Sequence, residues 1–436
     1  MDTRHGGVPR GEPAPGSGLP HRPLAAAIAA LLATAGALVA TEQPAAALIT
    51  YVRPVSVSYT DARQPTMSFQ GTDGTVPVGT SDVDGAKQTS RAYFTFDLSG
   101  YHGRRIINAV GISGESTVND CDKPRELELW HTDTPAGFPT WETAPTVREK
   151  IADFNPLTSC PSGYLELSLT EAIRQAVADR QDRITIMARI AGDHEESKHY
   201  GRRIKDLGIS LTHNRAPNVP GKLAVGIYPC ADNLFINTTA PYLTAELTDP
   251  DVNQTGGGDW VTATFAWWPV DRPAERTEWT SYYSLDAPAT FRYDVPYGLM
   301  VDGVTYAFAV RAADEYDVSA WSPECRFTVD TVAPPEPTVS STDYPPGWEG
   351  PGYGGPGIPG RFTFSANGAD DVKGYYYGDW GPAHYVAAES LGASVTITYT
   401  PTSPGTHSLY VQSVDRAGNL SAEMTQYEFV VASPAA

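Results

Sequence analysis

Charge of positive sign is scarce in this 436-residue chain. Fifty-one acidic residues face 31 Lys and Arg, a formal net charge of −20. That balance excludes the electrostatic footprint of a nucleic-acid binder and of a protein drawn to anionic membranes. It also repels anionic wall polymers unless a cation bridges the two. Apolar runs are scarce too. One begins at Leu24 and ends near Val39, and no second run reaches spanning length, so no membrane insertion is expected once the first is removed. Arg4, Arg10 and Arg22 precede that run, and small residues follow it, Leu38-Val39-Ala40 and then Ala45-Ala46-Ala47. This order predicts a secretory signal over residues 1–47, with cleavage after Ala40 or Ala47 and a secreted, extracellular product.

Motifs of catalysis are missing as well. No Gly-x-Ser-x-Gly elbow occurs. His194-Glu-Glu-Ser-Lys-His199 spaces its histidines five apart. On a helix they diverge by about 140°, which breaks the two-ligand geometry of a zinc protease. No carboxylate pair sits in a recognisable glycosidase motif. No catalytic residue is assigned, and the expectation is a protein that is not an enzyme.

Only four cysteines are present, at 121, 160, 230 and 325. An even number in an exported chain points to two disulfides, and sequence alone allows three connectivities. The domain limits argued next favour Cys121–Cys160 and Cys230–Cys325, each worth roughly 3–5 kcal/mol in the chain-entropy model.

Glycine (40) and proline (37) are plentiful, and aromatic residues make up 10%. Many short strands joined by turns fit that mixture. Alternation supports it: Ala92, Phe94, Phe96 and Leu98; Ile184, Ile186, Ala188 and Ile190; Val261, Ala263, Phe265 and Trp267; Tyr306, Phe308, Val310 and Ala312. One segment breaks the period. Ser168-Leu-Thr-Glu171 reads as a capping box, and Leu169, Ile173 and Val177 recur every four residues, which predicts one short helix. Pro-rich linkers lie near 215–220 and 330–337. The fold expected is all-β: three tandem β-sandwiches over 50–214, 216–330 and 334–433, the first jelly-roll-like with one short helix and the others Ig-like. The last two read as repeats of each other. Val310-Arg-Ala-Ala-Asp314 precedes Val318-Ser-Ala320, and Val411-Gln-Ser-Val-Asp415 precedes Leu420-Ser-Ala422. Each is a strand, an acidic turn and the next strand.

Three resemblances rest on particular residues. Leu299-Met-Val-Asp-Gly-Val-Thr-Tyr306, then Ala307-Phe-Ala-Val-Arg-Ala312 and Ser319-Ala-Trp-Ser322, make residues 216–330 similar to a fibronectin type III or Ig-like domain. The resemblance implies that the Tyr306 hydroxyl bonds upstream backbone. Val414-Asp-Arg-Ala-Gly-Asn419 makes the last region resemble bacterial Ig-like repeats. Arg91-Ala-Tyr-Phe-Thr-Phe-Asp-Leu98, Ile106-Ile-Asn-Ala-Val110, Thr140-Trp-Glu142 and Leu207-Gly-Ile-Ser-Leu211 make residues 50–214 resemble the DNRLRE family of secreted β-sandwich modules. Relatives of that family are appendages of polysaccharide-acting enzymes or of large surface proteins. The resemblance implies a carbohydrate-binding module, so the expectation is a surface or adhesion protein that binds extracellular or cell-wall polysaccharide through its first region. The alternatives are a structural or protein–protein component of the cell surface and an accessory part of a polysaccharide-degrading system. A monomer is expected.

Sugar binding needs aromatic platforms beside polar groups. Trp130 and Trp141 are the candidates in the first region. Trp267 and Trp268 are adjacent in a strand, so they face opposite ways. Alternation with Phe265 puts Trp267 in the core and leaves Trp268 exposed. Core packing is the competing role for each. Trp348, Tyr353 and Trp380 lie in glycine-rich or turn segments, where they form an aromatic patch or cover a sheet edge. For a metal, Asp249-Pro-Asp251-Val-Asn253 concentrates oxygen ligands of the kind calcium takes. Asp and Asn also populate plain turns for backbone reasons.

Overall fold

The computed structural model describes residues 48–71, 73–124, 126–154, 160, 163–251 and 259–434. The expected leader and Asn253 lie outside the described residues. The described chain is all-β, its strands gathered into three groups with separate cores. No helix among the described residues is long and apolar enough to cross a membrane.

In the first group one hydrogen-bonded path runs through nine strands. It starts at Leu48–Val52, passes Gly208–Asn214, Arg105–Val118, Arg202–Lys205, Thr75–Val83, Ala86–Asp97, Arg183–Ile190 and Leu127–Thr132, and ends at Val147–Phe154. Both halves of the path face one core, which holds Phe94, Phe96, Ile184, Ile186, Ile209 and Leu211. The two layers of this sandwich are therefore joined along a ladder. The helix spans Thr170–Ala178 and buries Ile173 and Val177. Leu169, just before it, is also buried. The capping box does not form. The Thr170 hydroxyl instead accepts from the Ala109 backbone N–H at 3.0 Å and donates to Asn108 Oδ1 at 3.0 Å, tying the helix start to the sheet. Glu171 turns to Arg174 at 2.7 Å. Cys121 pairs with Cys160.

The second group has a four-stranded sheet built on Gly221–Val225, Tyr242–Leu247 and Ala289–Asp294. A six-stranded sheet built on Trp260–Pro269, Thr305–Ala313 and Cys325–Val329 faces it. Phe265, Trp267, Phe291 and Phe308 fill the space between. The Val301 backbone N–H donates to the Tyr306 hydroxyl at 3.0 Å, the upstream bond expected of a corner tyrosine. Cys230 pairs with Cys325.

The third group sets Gly360–Ser365 and Val395–Tyr399 against Val372–Gly378, Gly405–Asp415 and Thr425–Val431. Its glycine-rich opening packs on the buried Tyr344, whose hydroxyl donates to the Ile358 carbonyl at 2.7 Å. Gly354 sits at φ +57° with Tyr344 Oη 2.3 Å from where a Cβ would stand, so only glycine fits there. Pro346 and Tyr353 bridge to Phe429 and Val431, so this loop covers the edge of the Thr425–Val431 strand.

Candidate functional site

Charge is concentrated where one sandwich meets the next. The strand Gly208–Asn214 ends the first sandwich, and its last residue reaches into the second. The Asn214 amide Nδ2 donates to Asp314 Oδ2 and to Asp317 Oδ2, both at 2.9 Å. Arg105 of the first sandwich donates to the Tyr316 carbonyl at 2.6 Å and to Asp317 Oδ1 at 3.2 Å. Arg215 then bonds Asp251 twice, backbone N–H to Oδ2 and side-chain Nε to Oδ1, each at 2.7 Å.

Three carboxylates meet at this joint. One oxygen each from Asp249, Asp251 and Asp259 lies within 4.8 Å of the others. Local backbone puts them there. The Asp251 N–H donates to Asp249 Oδ1 at 2.7 Å, and the Asp259 N–H to the Asp251 carbonyl at 3.2 Å. Asp259 is 1% exposed, yet neither of its carboxylate oxygens has a hydrogen-bond partner. Asp249 Oδ2 and the buried Asn214 Oδ1 are likewise without one. Burial first, then the carboxylates of Asp249, Asp251 and Asp314, push the Asp259 carboxyl up to about 7. Asp249 is pushed up to about 6, again chiefly by burial, with Asp314 and Asp251 adding to it.

A second joint repeats the plan. Asp330, Asp371 and Asp415 also bring oxygens within 4.8 Å of one another. Here Asp415 Oδ1 accepts from the N–H groups of Gly418 (2.7 Å) and Asn419 (2.8 Å), and Oδ2 from the Asn419 amide at 2.8 Å. The same amide donates to the Asp330 carbonyl at 2.8 Å. Arg416 stands 3.8 Å from Asp330 and lies 3.7 Å over the Phe235 ring. None of the buried carboxylate oxygens of this trio lacks a partner.

The tryptophans singled out as sugar platforms are partly covered. Trp268 corrects its expectation. It does face away from Trp267, but it is 8% exposed rather than open. Ala266, Ala307, Ala309 and Trp321 pack around it, and the Arg276 guanidinium stacks between Trp268 (4.7 Å) and Trp321 (4.2 Å). Trp130 is half-buried, with Arg189 4.6 Å over its ring and its Nε1 donating to Glu128 at 2.9 Å. Trp141 is half-buried beneath Arg91 at 4.6 Å.

Trp380 differs from all three. It is 99% exposed, and no cation lies over its ring among the described residues. It rims a groove of about 630 Å³ in the third sandwich, which Tyr377, Asp379, His384 and Tyr399 also line. Burial first, and then the Asp379 carboxylate, raise the Tyr399 hydroxyl well above its usual range.

No family model matches the chain, and no curated protein matches it. Several solved structures are similar to it. The FN1–FN3 domains of chicken CNTN1 align over 76% of this chain and 98% of their own, at 13% identity and a TM-score of 0.33. The human OSCAR ligand-binding domain aligns over 50% and 99%, at 16% identity and 0.20. A PKD domain of an M14-like peptidase from Thermoplasmatales archaeon SCGC AB-540-F20 aligns over 27% and 98%, at 22% identity and 0.17. At these values they carry no functional argument.

Proposed function

We propose that this is an exported, non-catalytic surface protein that binds extracellular carbohydrate, with the third sandwich supplying the contact. The observation that carries this reading is Trp380, an uncovered indole beside Asp379 and His384 in an open groove. A flat apolar ring next to charged and hydroxyl groups matches the two faces of a sugar, C–H on one side and hydroxyl on the other. The resemblance of the first region to DNRLRE modules supports a surface role. Its tryptophans are poorer platforms, because an arginine already occupies a face of Trp130 and of Trp141.

The test is retention of the full chain on insoluble polysaccharides and cell walls. Wild-type protein is expected to bind and Trp380→Ala to lose most of that binding. Equal retention of the two, or none by the wild type, contradicts the proposal. A second reading, contact with a protein partner, is favoured by Tyr282 and Tyr297 of the second sandwich, which are 88% and 89% exposed. It predicts that Trp380→Ala leaves attachment to a protein-bearing surface unchanged while Tyr297→Ser weakens it.

A further inference from the structure

We propose that the joint between the first and second sandwiches is a divalent-cation site of the calcium class, with Asp249, Asp251 and Asp259 as its protein ligands. The inference is independent of what the groove at Trp380 binds.

Acidic residues often cluster without an ion, so the decisive observation lies elsewhere. Both oxygens of Asp259 are buried and have no donor facing them. A carboxylate taken out of water without a partner is strongly disfavoured, and protein chains avoid it. The nearest cation, Arg215, is already engaged by both oxygens of Asp251. The unsatisfied oxygens are therefore placed to take a positive group that the described residues do not supply. Spacing fits an ion. Oxygens held at about 2.3–2.6 Å by one calcium lie no more than about 5 Å apart, and those of Asp249, Asp251 and Asp259 fall within 4.8 Å.

Ligand type selects the class. The donors are all oxygen, which suits calcium or magnesium and not zinc or copper. His213 is the adjacent nitrogen donor, and both its ring nitrogens are already placed, 3.3 Å from Arg104 and 3.2 Å from Thr50. Three carboxylates leave part of a shell of six to eight to water, and calcium accepts such irregular spheres more readily than magnesium does. Asp314 lies across the cluster on the turn that Asn214 grips. A bound ion thus ties the loop of the second sandwich to the residues that hold the first. Its affinity is expected in the range of extracellular modules, about 10⁻⁴–10⁻³ M.

The test uses the full chain, freed of metal with EDTA and titrated with calcium chloride or magnesium chloride. Binding is read by calorimetry and stability by thermal unfolding. Calcium at about 100 times its Kd is expected to raise the midpoint of the affected transition by roughly 5–10 °C. Asp259→Asn is expected to bind no calcium, and in EDTA to melt above the wild type, because it removes the unpaired buried charge. Asp249→Asn is a second variant should the first fail to fold, and it is expected to weaken binding at least tenfold. Asp415→Asn, at the other joint, keeps the full calcium response. Wild-type protein indifferent to both cations, or an Asp259→Asn or Asp249→Asn chain that responds as the wild type does, overturns the proposal.

Discussion

Asp314 closes the strand Thr305–Ala313, and Asp415 ends the strand Gly405–Asp415. Each accepts hydrogen bonds from the backbone of the turn after it, and each turn faces the end of the preceding sandwich. Matching bridges follow, Ala313 with Val318 and Val414 with Leu420. So do matching serines, Ser319 accepting from the Ala312 N–H and Ser421 from the Ser413 N–H. The two joints are one device used twice, and they differ at the next residue. After Asp314 comes Glu315, which adds to the field that raises Asp259; after Asp415 comes Arg416, which pairs with Asp330. The second joint sets Arg416 beside Asp330 and gives both oxygens of Asp415 donors within its own turn. The first leaves buried oxygens facing no donor. An internal cation and an external one are alternative solutions to the same electrostatic problem.

That contrast can be sharpened from the protein side. Asp415→Ala strips the partner from the Gly418 and Asn419 N–H groups and from the Asn419 amide. It is expected to destabilise the third sandwich by about 2–3 kcal/mol, equally with and without calcium, in a denaturant titration. A calcium-dependent loss would mean that the second joint also holds an ion. The smaller effect comes from moving the second joint's solution to the first. Glu315→Arg places a cation beside the acids at an exposed position. It is expected to stabilise the metal-free protein by about 0.5–1 kcal/mol and to reduce its gain on adding calcium. An unchanged calcium response would separate Glu315 from the site.

Much of the scaffold was legible because it is local. Ala92, Phe94, Phe96 and Leu98 alternate in the chain and all lie in the core. Tyr306 carries the corner bond that its neighbours implied. The repeat from Val310 to Ala320 and from Val411 to Ala422 announced the acidic turns. Trp268 marks the limit of such reasoning. Period two sets the face a side chain takes, but the residues that cover that face, Arg276 and Trp321, come from elsewhere in the chain. The acidic site was half visible for the same reason. Asp249 and Asp251 stand together in the sequence, whereas Asp259 and the Asn214–Asp314 contact meet them only through the fold. That Asp259 lacks a donor depends on every neighbour at once, and no spacing encodes it.

Hydrogen exchange of the full chain in EDTA and in calcium tests the central claim most directly, that the first joint is completed by a cation and the second by its own side chains. Added calcium is predicted to slow exchange near Asn214, Asp249–Asp251, Asp259 and Asp314–Asp317, by up to about 100-fold at 100 times the Kd. Exchange around Asp330, Asp371 and Asp415–Asn419 is predicted to stay the same. Equal protection at both joints, or at neither, would contradict the account.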